Sequence, residues 1–433
     1  MKNESKIKHI KVAILAEEPL GWSSGKHYFP IILDNYTWKK KNITYKFTTT
    51  YLFDKDIVQG NLNVTHYDVL LVPGGGVGDA HAVMKGFTQL KKVRRWKNNI
   101  SHFIKNGGGY VGICGGASLI TELTTGPGRK PTTFLERQFN KSALDVSCVT
   151  SYYNYLAIPL FYPFQKKHPE NVGASGFVFS FAPGHTLDGT SLYTGGVPVD
   201  FTLHNKQAIF SDVRDNKLRI RWWGGPAFQV PLNPDREVKV IARYPVNDFS
   251  QQPNTRIKSW IYVGGLHGLF LAFLKACRLI KKEQGNFKYI LLYTYFLAGD
   301  WMSSDKYINL DFSNKPSMTM EIYPNKHQGR ILLCAAHPQY LIWHGGRISE
   351  NEGVGFHCLA NGLHYWNEIA PLSDTGDELM NNWWLVRRMV AWAAKVPDHH
   401  MPPREKDQFN EKTKMLFKQN MCSSTLLSQM KNI

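Results

Sequence analysis

The chain lacks long apolar runs, is short of acids for the bases it carries, and uses little cysteine. No stretch reaches the roughly 18 uninterrupted apolar residues that a membrane-spanning helix needs, so no membrane span is expected. The opening MKNESKIKHIKVAILAEEP has neither the apolar core nor the small-residue cleavage site of a secretory leader. Six cysteines spread through 433 residues make no disulfide framework, and reduced thiols in a cytoplasmic setting are expected instead. The Asn-x-Ser/Thr triplets at Asn42 and Asn63 are what chance supplies in a chain rich in Asn and Thr.

The shortage of acids is marked: 34 Asp and Glu against 52 Lys and Arg, a formal charge of +18. Such a balance invites a nucleic-acid partner. The bases are scattered, however, as in KNESKIKHIK, KKVRRWK and ACRLIKKEQGNFK. No recognised motif with interleaved stacking aromatics accompanies them. A solvated lysine-rich surface is the simpler reading, and no nucleic-acid partner is expected. What is present in quantity is core material, 43% hydrophobic and 13% aromatic residues, enough for a large buried interior.

Three short apolar runs share one form. Residues Lys11–Ala16 (KVAILA), Val69–Val72 followed by Pro73 and three glycines, and YVGIC preceded by Gly107–Gly109 all read as buried strands. Between the second and third, Leu90, Val93, Trp96, Ile100, Phe103 and Ile104 recur at helical spacing. Strand, glycine-rich turn, helix and strand is the rhythm of a parallel sheet covered on both faces. The region from about 141 to 244 holds strand-like runs (GFVFSFAPG, KQAIFSD, KVIARYP) that continue the same domain. The polar VNDFSQQPNTR suggests a boundary, after which GGLHGLFLAFLKACRLIKK and YILLYTYFLAGDWM suggest a mainly helical insertion over 250–328. GRILLCAAHPQY resumes the strand pattern, and ELMNNWWLVRRMVAWAAK reads as a helix. The domain is placed at 8–398, with a polar, frayed tail over 399–433. There is no internal repeat.

The stretch NGGGYVGICGGASLI sets one cysteine among six glycines. Gly112-Ile113-Cys114-Gly115-Gly116 has the spacing of a nucleophile elbow, with Cys where hydrolases often carry Ser. If YVGIC is a strand and GGASLITEL opens a helix, Cys114 sits on the sharp turn between them. A helix N-terminus favours the thiolate, and the Gly115 N–H can face an oxyanion. A second donor could come from the loop carrying Gly75 and Gly76, because loops at the carboxyl ends of neighbouring parallel strands share a crevice. A buried structural cysteine in a glycine-rich turn has the same spacing. Among sixteen histidines, His337 stands just past an apolar strand, with Pro338 stopping that strand. From there it could take the thiol proton, with Gln339 two residues on to hold the ring; a purely structural histidine fits the same place. The aromatics Trp222, Trp223 and Trp343 suit a core better than a pocket. His344, His364 and His399-His400 lack the partners of a metal site. GPGRK at Gly126–Lys130 lacks the spacing of a phosphate-binding loop.

VLLVPGGGVGD, GGGYVGICGGAS, RWWGGPAF followed by KVIARYP, and RILLCAAHPQY occur in the order seen in the biotin-protein ligase N-terminal domain family. That family is a branch of the class I glutamine amidotransferase-like superfamily, and the chain resembles it over roughly 11–244 and 330–395. The most specific part is the cysteine elbow combined with Trp223-Gly224-Gly225-Pro226 and the His-Pro pair. The resemblance implies a flavodoxin-like, doubly wound, mostly parallel α/β sheet, with Cys114 as nucleophile and His337 as its histidine. Amidotransferases of this superfamily use Cys, His and Glu to release ammonia from glutamine through a thioester. The pattern has Glu where this chain has Gln339. Glu17 or Glu18, at the end of the first strand, could supply a carboxylate instead, and Gly224 and Gly225 are supporting positions. The chain lacks the Gly-Arg-rich loop of biotin ligases, so biotin transfer is not implied. The resulting expectation is a cysteine-dependent hydrolase or amidase acting on a carboxamide-type small molecule, with no cofactor. The alternative is a degenerate metabolite- or partner-binding module on the same fold.

Overall fold

The first strand is longer than its apolar signal. In the computed structural model β1, Lys6–Leu15, begins in the polar KIKHIK and ends in the buried VAIL. It extends because it pairs in parallel along its whole length with β3, Ile43–Leu52, the second arm of a hairpin begun by β2, Thr37–Lys40. Helices α1, Gly25–Leu33, and α2, Asp54–Gln59, lie before and after that hairpin. Strand β4, Val69–Val72, helix α3, Leu90–Lys105, and strand β5, Gly109–Ile113, then follow the rhythm read from the sequence. The structure describes residues 6–16, 25–34, 36–74, 90–124, 146–152, 197–204, 207–222, 225–246, 256–262, 265–280, 301–309, 312–339, 342–343, 379–380 and 382–405.

Past β5 come a single helical turn, α4, Gly115–Ser118, and the short strands β6, Glu122–Thr124, and β7, Thr150–Tyr152. Strands β8, Val197–Leu203, β9, Lys217–Trp222, β10, Ala227–Gln229, and β11, Val238–Arg243, precede a hairpin of β12, Arg256–Tyr262, and β13, Trp301–Asn309. Helix α5, Gly265–Ile280, lies between the arms of that hairpin in the chain. Strands β14, Pro316–Ile322, and β15, Arg330–Cys334, return to the main sheet. The small pair β16, Ile342–Trp343, and β17, Leu379–Met380, precedes helix α6, Trp383–Ala393.

Ten strands form the main sheet in the order β2-β3-β1-β4-β5-β15-β14-β11-β8-β9. From β3 to β15 every pairing is parallel, and counted along the chain these five strands lie second, first, third, fourth, fifth. From β15 outward the pairings are antiparallel. The parallel half carries fully buried runs such as Val12–Leu15 and Val69–Leu71, as strands covered on both faces must. Helices α1 and α6 meet through the Arg387 Nε, which donates to the Ile32 carbonyl at 3.0 Å. On the other pair, the Asn99 amide of α3 donates to the Ile57 carbonyl of α2 at 2.6 Å.

Local structure departs from the sequence reading in several places. KQAIFSD forms a 3-10 turn at Ala208–Phe210 rather than a strand. The helix read from ELMNN starts at Trp383, because Leu379–Met380 pairs with β16. Of the stretch 250–328, the described part is one helix, two paired strands and β14, which belongs to the main sheet. YILLYTYFLAGDWM was read as helix, but Trp301 and Met302 open β13; its earlier residues, like GFVFSFAPG, lie outside the described ones. The start of the polar tail is docked rather than frayed: Met401 is buried, and the Trp38 indole donates to the His400 carbonyl at 2.7 Å.

A three-stranded layer, β10-β7-β6, lies against the antiparallel half. Under it Glu321 is 1% exposed, yet its carboxylate accepts from the Arg236 guanidinium and the Ser147 hydroxyl, each at 2.8 Å. Burial pushes the Glu321 carboxyl up, against the opposing pull of Ser147 and Arg236. Removing one partner of such a pair strands the other charge. Arg236→Ala should therefore lose about 3–5 kcal/mol, read as a shift of the urea midpoint. A carboxyl raised on folding contributes stability that is complete below its unfolded value and is lost as pH rises through its folded value. The deficit of the variant should thus be larger at pH 8 than at pH 5; an equal deficit at both would show that the charge of Glu321 is not the cause.

Candidate active site

Three parallel strands end together. Val72 of β4 is in register with Gly112 of β5, and Cys334 of β15 with Ile113. The loops that follow, at Pro73, Cys114 and Ala335, therefore leave the same edge of the sheet, where α/β folds place their crevices. Pro73 cannot donate to the ladder and helps end β4.

Cys114 takes φ 51° and ψ −116°, a conformation that costs a non-glycine residue about 1–3 kcal/mol. Three hydrogen bonds hold it: its own N–H donates to the Cys334 carbonyl at 2.7 Å, and its carbonyl accepts from Ala117 and Ser118 at 2.9 and 3.3 Å. The flanking glycines are there because backbones meet. A Cβ on Gly112 would stand 2.6 Å from the Gly116 carbonyl oxygen, and one on Gly116 would stand 2.3 Å from that of Val72. The Tyr110 hydroxyl fixes the same turn by donating to the Gly116 carbonyl at 2.6 Å.

The helix expected after the elbow is one turn of four residues. It stops because the Ile120 carbonyl is taken by the N–H groups of Val146 and Ser147, and Glu122–Thr124 pairs with β7. So short a turn sums few peptide dipoles, and the thiolate loses most of the support a long helix would give. What remains is local: Gly115 and Gly116 are the first amides of the turn and have no carbonyl within it to reach.

His337 is 2% exposed and Gln339 0%. The Gln339 side-chain amide lies 3.0 Å from His337 Nδ1, and the Gln339 carbonyl accepts from the Trp383 indole at 3.0 Å. Gly74 locates the pair. A Cβ built on it would lie 2.6 Å from Cys114 Cβ and 2.6 Å from His337 Cε1, so those two atoms are within twice that distance of each other. Cysteine and histidine, more than 200 positions apart in the chain, meet beside a single glycine.

Gly225 joins this edge from the antiparallel side. A Cβ there would fall 1.8 Å from the Ala335 carbonyl oxygen, which leaves room for hydrogen only. The Gly225 carbonyl accepts from the Trp222 indole and the Tyr244 hydroxyl, both at 3.1 Å. Trp222 and Tyr244 are fully buried and pack edge to face, as the core reading expects. Burial pushes the Tyr244 hydroxyl well up; the Trp222 indole opposes this, while Cys114 and Cys334 add to it. Tyr244 and Cys334 are neighbours that sequence reasoning did not single out. Burial pushes the Cys334 thiol up to about 12, so it stays protonated. Glu17, Glu18, Gly75, Gly76, Trp223, Gly224, His344 and His364 lie outside the described residues. Among the described residues no group of three or more His, Cys, Asp or Glu side chains could hold a metal ion. No described helix is long and apolar enough to cross a membrane.

No family model and no curated protein matches the chain. Among solved structures, a glutamine amidotransferase from Thermotoga maritima is similar over 67% of this chain and 99% of its own, at 12% identity and a TM-score of 0.27. A likeness of that size decides neither fold nor chemistry. The resemblance to the biotin-protein ligase N-terminal domain family rests on the sequence motifs alone.

Gly74→Ala is the direct probe of this geometry. Its methyl group must drive Cys114 and His337 apart, so alkylation of Cys114 by iodoacetamide should slow by about tenfold or more, followed by mass spectrometry of the Cys114 peptide. A variant that labels at the wild-type rate would mean that the two side chains do not cooperate.

Proposed function

We propose that the chain is a cysteine-dependent hydrolase or amidase of the glutamine amidotransferase-like superfamily, on a flavodoxin-like, doubly wound sheet spanning 8–398. It acts on a carboxamide-type small molecule in a cytoplasmic setting. The observation that carries this reading is the shared contact of Cys114 and His337 on Gly74. In the reaction His337 takes the Cys114 proton, and the thiolate adds to the carboxamide carbon. The Gly115 N–H and the loop at Gly74–Gly76 hold the oxyanion. The imidazolium then protonates the departing amine, and water activated by the same ring hydrolyses the thioester.

Gln339 sets the condition on this chemistry. With its Nε2 donating to Nδ1, a neutral His337 carries its proton on Nε2 and has no lone pair left for the thiol. In that arrangement Gln339 Oε1 is also buried without a partner among the described residues. Turning the amide by half a turn gives Oε1 to an Nδ1–H and frees Nε2 to act as base. The amide still carries no charge to stabilise imidazolium. The second reading, a binding module that keeps the fold but not the turnover, is favoured by this one residue.

Two measurements separate the readings. An amide-directed electrophile should modify Cys114 and leave Cys334 untouched; labelling elsewhere, or none at Cys114, removes the enzyme. Gln339→Glu should raise the rate of Cys114 alkylation at pH 7 by about tenfold or more, and the gain should vanish when His337→Ala is added. An unchanged rate in a folded Gln339→Glu protein would leave the binding module standing.

A further inference from the structure

At the opposite, amino-terminal edge of the parallel strands, a second group of side chains gathers. Lys6 and Lys8 of β1 are in register with Ile43 and Tyr45 of β3, and Lys40 and Trp38 of β2 oppose the same two residues. Because strand neighbours in register share a face, Lys6, Lys8, Lys40, Trp38 and Tyr45 lie on one side of the sheet. Lys41 follows at the hairpin tip with φ 52°.

The 3-10 turn Asp398–His400 covers this face. Trp38 and Tyr45 stack at 4.8 Å between ring centroids, and the Tyr45 hydroxyl lies 2.6 Å from His400 Nδ1. Tyr45 is 1% exposed, and among the described residues that nitrogen is the partner its hydroxyl has. The phenolic proton therefore goes to Nδ1, and a neutral His400 carries its own proton on Nε2. His400 is 6% exposed, and Nε2 is buried with no hydrogen-bond partner among the described residues.

An orphaned N–H at this depth is destabilising, and the surroundings indicate what it is for. Burial, and then the positive charges of His399, Lys41, Lys40 and Lys8, hold the His400 imidazole below its ordinary value. Three of those neighbours, Lys41, Lys40 and Lys8, are lysines. Asp398, the carboxylate in the turn itself, exerts its field on Arg330. A donor without an acceptor among the described residues, with Lys8, Lys40 and Lys41 near enough to act on its charge, matches a compact anion of more than one charge.

We propose that this edge is a phosphate-binding site, in which His400 Nε2–H donates to a phosphoryl oxygen while Lys8, Lys40 and Lys41 neutralise its charge. The occupant is inorganic phosphate or the phosphoryl group of a small monoester. This site is independent of the chemistry at Cys114.

The test is calorimetric titration and thermal melting of the full chain at constant ionic strength, with inorganic phosphate, phenyl phosphate and chloride in turn. Phosphate should bind and raise the melting temperature where chloride does not. Lys8→Ala/Lys40→Ala, at one exposed and one half-buried position, should melt as the wild type without ligand and bind phosphate about tenfold more weakly. Binding of phenyl phosphate would assign the site to a monoester, and its exclusion while phosphate binds would assign free phosphate. His400→Gln is a second variant that should abolish the phosphate effect. Equal responses to phosphate and chloride, or wild-type affinity in the double lysine variant, would overturn the proposal.

Discussion

Backbone-to-backbone contact at the carboxyl edge of β4, β5 and β15 is what the rest of the molecule depends on. The elbow turn lies so near the end of β4 that no side chain fits between Gly116 and Val72, nor between Gly112 and Gly116. That crowding, with the amide of Cys114 tied to the Cys334 carbonyl, keeps a cysteine in a conformation it would otherwise avoid. Strain of this kind persists only where the surroundings over-determine it. Here two strands and a one-turn helix do so together, and they leave the cysteine where a residue from a distant strand can reach it.

Charge is handled differently in the two halves of the sheet. In the parallel half β4 and β5 are wholly apolar, and the buried cations sit on α6, one paired with a carboxylate and the other set against a carbonyl and an aromatic ring. Arg388 holds both oxygens of Asp212 at 2.6 Å, and Arg387 lies 3.8 Å from the ring centroid of Tyr36. In the antiparallel half a carboxylate enters the sheet itself, at Glu321, and Ser147 and Arg236 meet it. Burying either kind of charge unpaired would cost several kcal/mol. The crevice at Cys114 follows neither pattern, because the residue behind its histidine is the neutral Gln339. A proton relay built on an amide depends on which end of that amide faces the ring.

The parallel half was legible in the sequence because its strands are short, wholly apolar and punctuated by glycine, as at Val69–Val72 and Gly109–Ile113. Helix α3 showed through the spacing of Trp96, Ile100, Phe103 and Ile104, all of which are buried. The hairpin β2–β3 was not legible: ITYKFTTTYL alternates weakly, and its hydrophobic side is completed by residues around His400, far along the chain. The helix after Cys114 was read too long, since GGASLI has helix-compatible residues but its last carbonyl, at Ile120, is claimed by Val146 and Ser147. Spacing offered Cys114, His337 and Gln339 as candidates. The contact through Gly74 could not be read that way, because it arises from strand order rather than from sequence distance. Tyr244 escaped notice because a single tyrosine after a strand carries no signal of its own.

The position of β15 has a consequence for how the polypeptide is made. This strand sits in the middle of the sheet, between β5 and β14, although it lies more than two hundred residues after β5 in the chain. While the ribosome is still working through the intervening two hundred residues, β1, β3, β4 and β5 can already assemble, and β5 is then an open, apolar edge. Such edges recruit other strands indiscriminately. The nascent protein is thus exposed to mispairing until Arg330–Cys334 emerges and slots in, and the same event that closes the sheet delivers His337 to Cys114. A chain interrupted before that point has both an unprotected rim and no histidine beside its thiol.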